Sequence, residues 1–160
     1  MKRVLLTVLL VLIVLTALTA CEANDQKVDF PVMTKSFPEI IDPHNPEQAE
    51  QSGDVVVLHG GILNGDKWNT FMKNVKEKHQ AQVRVTKYTI EGGPIIHELI
   101  YDGTAIQFTY DDSRDLYGST QGRANDTCKG IGMMKSEQGR IFYVLTGCEK
   151  EENPFSIPKR

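Results

Sequence analysis

The first twenty-one residues set the terms for everything downstream that can fold. Met1-Lys2-Arg3 is followed by an uninterrupted apolar and threonine run from Val4 to Ala20, and then by Cys21. Two cations ahead of a leucine-rich stretch read as the n- and h-regions of a secretory signal, oriented by keeping its positive end inside. The run of 17 residues falls short of the roughly 20 that a spanning helix needs. Residues 1–20 are therefore expected to be removed, leaving 140 residues of the 160, enough for one domain.

Leu18-Thr19-Ala20 places small residues just before the cut, and the thiol of Cys21 straight after it can take a diacylglyceryl group. This resembles the lipobox of bacterial lipoproteins. It implies a lipidated, palmitate-bearing Cys21 and a mature chain held on the extracytoplasmic face of the cell membrane. A single acyl chain binds only marginally, at about 0.8 kcal/mol per buried CH₂, so stable anchoring needs two or more. A diacylglyceryl cysteine meets that requirement.

Cleavage also removes Lys2 and Arg3, so 18 basic against 21 acidic residues become 16 against 21, a charge of −5. A mildly acidic domain is not built to lie flat on an anionic membrane, nor to hold nucleic acid. Three cysteines are an odd count for an exported chain. Lipid on Cys21 resolves it and leaves Cys128 and Cys148 as a pair. Strands near Thr127–Met134 and Arg140–Cys148, joined through Lys135-Ser136-Glu137-Gln138-Gly139, form a predicted hairpin. A turn centred on Gln138 sets 128 opposite 148, within bridging range for an antiparallel pair. A structural disulfide is favoured over a redox or metal pair, because C-x-x-C spacing and a histidine cluster are missing.

Glu22 to about Pro46 is polar and broken by Pro31, Pro38, Pro43 and Pro46, so residues 21–45 read as a lipidated cysteine and flexible tether. As a coil of about 25 residues it would hold the domain roughly 25–30 Å from its anchor. Packing of Phe30-Pro31-Val32-Met33 and Ile40-Ile41 along the domain is the competing reading. Residues 46–150 form the domain and 151–160 a polar tail. Within the domain, Asn45, Pro46 and Gly53 punctuate a short helix, and Asp54–His59 is a β-branched strand. Asn64 is a candidate cap for a helix to about Lys78, with Trp68, Phe71, Met72 and Val75 on one stripe. A meander follows over Gln82–Ile90, Ile95–Tyr101 and Ala105–Tyr110. A two-residue Asp102-Gly103 turn would set His97 opposite Phe108 and Leu99 opposite Ile106. Val83 and Val85 are odd while Tyr88 and Ile90 are even, which predicts a bulge near Thr86-Lys87. The expected fold is α+β, one main helix packed on an antiparallel sheet and preceded by a signal peptide and polar tether.

Candidate chemistry is sparse. Val55–Gly61 resembles the early strand and oxyanion loop of α/β-hydrolases, but no G-x-S-x-G follows, and Gly118-Ser119-Thr120-Gln121-Gly122 misplaces its serine. His44, His59, His79 and His97 lack metal-ligand spacing, so no cofactor or metal is expected. Asp111–Asp115 lacks the Gly and distal Glu of a calcium loop and reads as solvated. The longer polar loop from Asp111 to Asn125 carries Arg114, Tyr117 and Arg123, a composition that interfaces favour. It is the candidate recognition loop.

Gly53-Asp54-Val55-Val56, His59-Gly60, the Trp68 helix, Tyr88-Thr89-Ile90-Glu91-Gly92, Leu99-Ile100-Tyr101-Asp102-Gly103, Tyr110-Asp111, Cys128 and Gly147-Cys148 occur in this order. In that order the chain resembles a domain-of-unknown-function family of small lipoproteins from Gram-positive, spore-forming bacteria, over about residues 45–148. The resemblance implies an extracytoplasmic setting and one α+β domain, and carries no catalytic residue. Missing a nucleophile, metal or paired-acid constellation, the sequence favours a tethered binding or accessory module for a protein, peptide or envelope ligand. An inhibitor guarding against a foreign enzyme and a small extracytoplasmic enzyme are the alternatives.

Overall fold

The computed structural model describes residues 36–118, 122–150 and 154–159. The leader, Cys21 and the first part of the tether lie outside the described residues. In chain order the elements are α1 (Pro46–Gln51), β1 (Val55–Leu58), β2 (Gly61–Leu63), α2 (Gly65–Lys76), β3 (Ala81–Tyr88), β4 (Pro94–Tyr101), β5 (Ile106–Asp111), β6 (Arg123–Cys128), β7 (Gly130–Lys135), β8 (Ile141–Thr146) and β9 (Ser156–Pro158). Among the described residues no helix is long and apolar enough to cross a membrane.

This corrects the α+β expectation of one main helix on a single antiparallel sheet. Strands dominate, in a six-stranded sheet of order β2-β1-β3-β4-β5-β6 and a three-stranded sheet of order β7-β8-β9, with two short helices. The first sheet is also mixed, because β1 runs parallel to β3. Its crossover is made by the β1–β2 hairpin and α2, the kind of long connection a parallel pair requires. The unforeseen strands lack a legible period. β6 reads Arg-Ala-Asn-Asp-Thr-Cys, an edge strand with little to bury, and β2 and β9 have three residues each.

α2 packs Trp68 and Phe71 into the core, with Met72 and Val75 half-buried beside them. Those side chains meet Val83, Val85, Leu99 and Phe108 of the six-stranded sheet. The three-stranded sheet and the segment before β9 close the other side. Tyr143 and Phe155 stand with ring centroids 5.6 and 5.7 Å from Trp68. Phe155 and Ile157, from the stretch set apart as a polar tail, are 2% and 1% exposed.

Asn64 does not cap α2. It adopts a left-handed φ of 52° and its side chain donates to the carbonyls of Glu50 and Asp54 instead. Asn45 does cap α1, accepting from the N–H of Gln48 at 2.9 Å. The β4–β5 register sits two residues from the expected one, pairing His97 with Tyr110 and Leu99 with Phe108. The cause is Asp102, whose carboxylate accepts from the N–H groups of Thr104 and Ala105 and builds a four-residue loop. A shift of two preserves the inward face. The β7–β8 pairing has the anticipated register, with Gly130 opposite Thr146. Just beyond it, Cys128 and Cys148 stand at disulfide distance where the chain passes from one sheet to the other.

Candidate functional site

β3 carries no bulge. Its pairing with β4 is continuous from Ala81 opposite Tyr101 to Tyr88 opposite Pro94. The parity break arises because β3 is buried on both faces. Val83 and Val85 face the core, whereas Arg84, Thr86 and Tyr88 face outward from it and are covered by the chain around residues 37–49.

Under that cover lies a polar network. Asp54, 1% exposed, accepts from the Thr86 hydroxyl at 2.7 Å, and the same oxygen lies 3.1 Å from His44 Nε2. Its other oxygen is 3.6 Å from Arg84 Nη1. Arg84 donates to Glu98 Oε1 from Nε and Nη2 at 3.2 and 3.0 Å, and to the carbonyl of Pro38 at 2.6 Å. The Phe37 ring lies against its guanidinium, 5.1 Å from the centroid. Arg123 reaches the second Glu98 oxygen at 3.1 Å. The Tyr88 hydroxyl donates to the His44 carbonyl at 2.7 Å. Burial first, and the Asp54 charge second, push the Tyr88 phenol well above its ordinary pKa. The trio of Thr86, His44 and Asp54 is not a nucleophile relay. Thr86 donates to the carboxylate rather than to the histidine, and is fully buried. The network fastens residues 37–44 to the sheet.

His97 has the opposite character. It is 1% exposed and packed between Phe108, Tyr110 and Phe155. Nδ1 lies 3.3 Å from the Val85 carbonyl and donates to it. Burial, then the Lys87 charge, lower its pKa from 6.5 to about 3. A ring this neutral and enclosed is a core residue.

The accessible chemistry lies at one end of the six-stranded sheet. β1 and β3 end there, β4 and β6 begin there, and β5 ends there, so their connecting loops gather. A shallow hollow of about 460 Å³ is lined by Pro46, Leu58, His59, Tyr88, Thr89 and Ile90. The acids of the predicted recognition loop are buried in this rim rather than solvated. Asp111 accepts from Ser113, Asp112 from Gly122 N–H at 2.7 Å and the Tyr110 hydroxyl at 3.0 Å, and Asp115 from the Tyr117 N–H. Gly93, in the β3–β4 turn, is needed because a Cβ there would meet Asp115. The two arginines of this loop point away from a common role. Arg114 pairs with Asp42 at 3.1 Å and Arg123 with Glu98. Tyr117 stands free at 76% exposure beside Leu116 at 79%. Ile90, 80% exposed, and Ile41, 62% exposed and next to Asp42, lie on the same end. Tyr117 is the one of these exposed residues that the loop's length and composition single out in the sequence; Leu116, Ile90 and Ile41 carry no motif.

Among the described residues, Asp126, Cys128 and Cys148 come close enough to share one metal ion. Two of them are the pair at disulfide distance, and bonded sulfurs leave no thiolate to ligate.

Compared with known proteins, residues 52–143 match a family model described as "Domain of unknown function (DUF4362)". No curated protein and no solved structure matches.

Proposed function

We propose that this chain, which belongs to the DUF4362 family, is a lipoprotein whose domain works as a binding or accessory module outside the cytoplasm. Residues 1–20 would act as its signal peptide and Cys21 as its lipidated anchor in the cell membrane, by the n-region, h-region and lipobox pattern. The ligand would be a protein, a peptide or an envelope component.

The observation that carries the binding half is the exposed apolar rim. Leu116, Tyr117, Ile90 and Ile41 are each more than 60% exposed on loops of the same end. Large apolar side chains exposed together mark contact surfaces more often than solvent-facing ones. Residues 111–118, which hold Leu116 and Tyr117, are tied by three buried aspartates, which lowers the entropy they lose on binding. Tyrosine is among the side chains that anchor interfaces.

Crosslinking in intact membranes tests the reading. Wild type and a Leu116→Ser, Tyr117→Ala variant are compared by partner recovery, with lipid mass on the Cys21 peptide read in the same samples. The expected result is a partner lost at least tenfold in the variant. Equal recovery from both chains removes the rim from the reading. A captured secreted enzyme whose activity falls on binding would make the module an inhibitor.

A further inference from the structure

A second exposed apolar cluster lies on the three-stranded sheet, and its charge is opposite to that of the chain. Met133, Met134 and Ile141 are 63%, 51% and 41% exposed. Met133 and Met134 are consecutive in β7 and so face opposite sides of the strand. β7 is an edge of its sheet. The N–H of Ser136 donates to the Arg140 carbonyl at 2.8 Å. Alternation from that bond turns the backbone groups of Ile131, Met133 and Lys135 outward.

The surroundings are basic. Lys135 and Arg140 are exposed at the hairpin tip, and between Lys129 and Gly147 Glu137 is the single acid. Lys159, directly after β9, adds a third cation. Its N–H donates to the Ile141 carbonyl at 2.9 Å and its Nζ lies 3.5 Å from Met133 Sδ. A chain that is acidic after residue 20 therefore gathers cations around one apolar hairpin tip.

We infer that the β7–β8 hairpin is the surface this domain lays on an anionic phospholipid bilayer. The hairpin approaches by its tip and β7 edge, so that Met133 and Ile141 from one face and Met134 from the other reach the headgroup region, where the outward backbone groups stay hydrated and Lys135, Arg140 and Lys159 meet the phosphates. Apolar side chains ringed by lysine and arginine bind anionic lipid through buried area and charge together. The acidic remainder of the chain is repelled by the same bilayer, which selects this face over the others. The inference rests on the reading that the chain is membrane-anchored. An anchored domain meets the bilayer at high effective concentration, so a modest patch is enough. Charge also rules between occupants. A second copy paired through β7 would set two cation-bearing hairpins side by side, and like charges oppose that.

The test uses the full chain purified from membranes and reconstituted into phosphatidylcholine vesicles, with or without roughly one third phosphatidylglycerol. Peroxide oxidation of Met133 and Met134 is followed by mass spectrometry, with half-buried Met72 as internal reference. Oxidation of both is expected to slow at least fivefold in the phosphatidylglycerol vesicles relative to Met72. High salt, or a Lys135→Glu, Arg140→Glu variant, should abolish that protection. Equal rates in both vesicles overturn the inference. So does protection that follows protein density rather than phosphatidylglycerol, which would identify a second copy. The Cys21 peptide in the same digest reports lipidation separately, so failure of the anchor and failure of the hairpin are different results.

Discussion

Replacing Arg84 by Met tests whether the network beneath residues 37–44 is a structural latch. The substitution removes two hydrogen bonds to Glu98, one to the Pro38 carbonyl, and the ion pair to Asp54. Removing one partner of a buried pair costs about 3–5 kcal/mol, because the other charge is left uncompensated. Two features set the value near the low end. The Glu98 side chain is 15% exposed and keeps Arg123, whereas that of Asp54, 2% exposed, keeps His44 and Thr86. The expected loss is about 3 kcal/mol, a large share of the 5–15 kcal/mol typical of a domain. Urea unfolding can be followed by the fluorescence of Trp68, the single tryptophan, which is 4% exposed. With a slope of about 2 kcal/mol/M the midpoint should fall by about 1.5 M. Adding Asp54→Asn to Arg84→Met should recover part of the loss, since it removes the orphaned charge. Amide exchange at Asn45, whose N–H donates to the Pro43 carbonyl beside His44, should quicken in the single variant. A loss under about 1 kcal/mol, or two substitutions whose costs simply add, would refute the latch.

Two further outcomes follow from buried groups elsewhere. The Cys128–Cys148 link spans 20 residues, so replacing both cysteines by alanine should cost about 3 kcal/mol on the chain-entropy model, read as a lower urea midpoint; an unchanged midpoint would show that the link constrains nothing. For His97, the unfolded ring titrates near 6.5 and the folded ring only near 3, so unfolding takes up a proton between those values. Its contribution is therefore fully present above pH 6.5 and is lost as pH falls towards 3, by about 2 kcal/mol between pH 7 and 5. The gap in stability between wild type and His97→Gln should narrow by that amount over this range, and a pH-independent gap would contradict a neutral buried ring.

Local rules were enough for part of the fold. Asn45, Pro46 and Gly53 delimit α1, the Trp68 stripe marks α2, and the turn around Gln138 sets the β7–β8 register. The inward face of His97 survived a two-residue register error because strand alternation has period two. The second buried face of β3 was not legible, and the false bulge shows why. Arg84 and Thr86 look like surface residues until partners far away in the chain cover them, and no window containing Arg84 includes Pro38. The rim was half legible for a related reason. Tyr117 stands in a loop whose length attracts attention, whereas Ile90 shares its end through the strand directions and Ile41 through the Asp42–Arg114 pair.

The latch also decides how the domain would bear force. Among the described residues, the first that the network fastens to the sheet are Phe37, Pro38 and His44. Tension applied there is taken by the guanidinium of Arg84 and the carboxylate of Asp54, and through them by the middle of the six-stranded sheet. The contacts nearest the pull would peel in sequence, Phe37 and Pro38 before His44. Each peeled residue would come free before any strand is disturbed. Contacts released in that order would leave the six-stranded sheet intact while residues 37–44 come away.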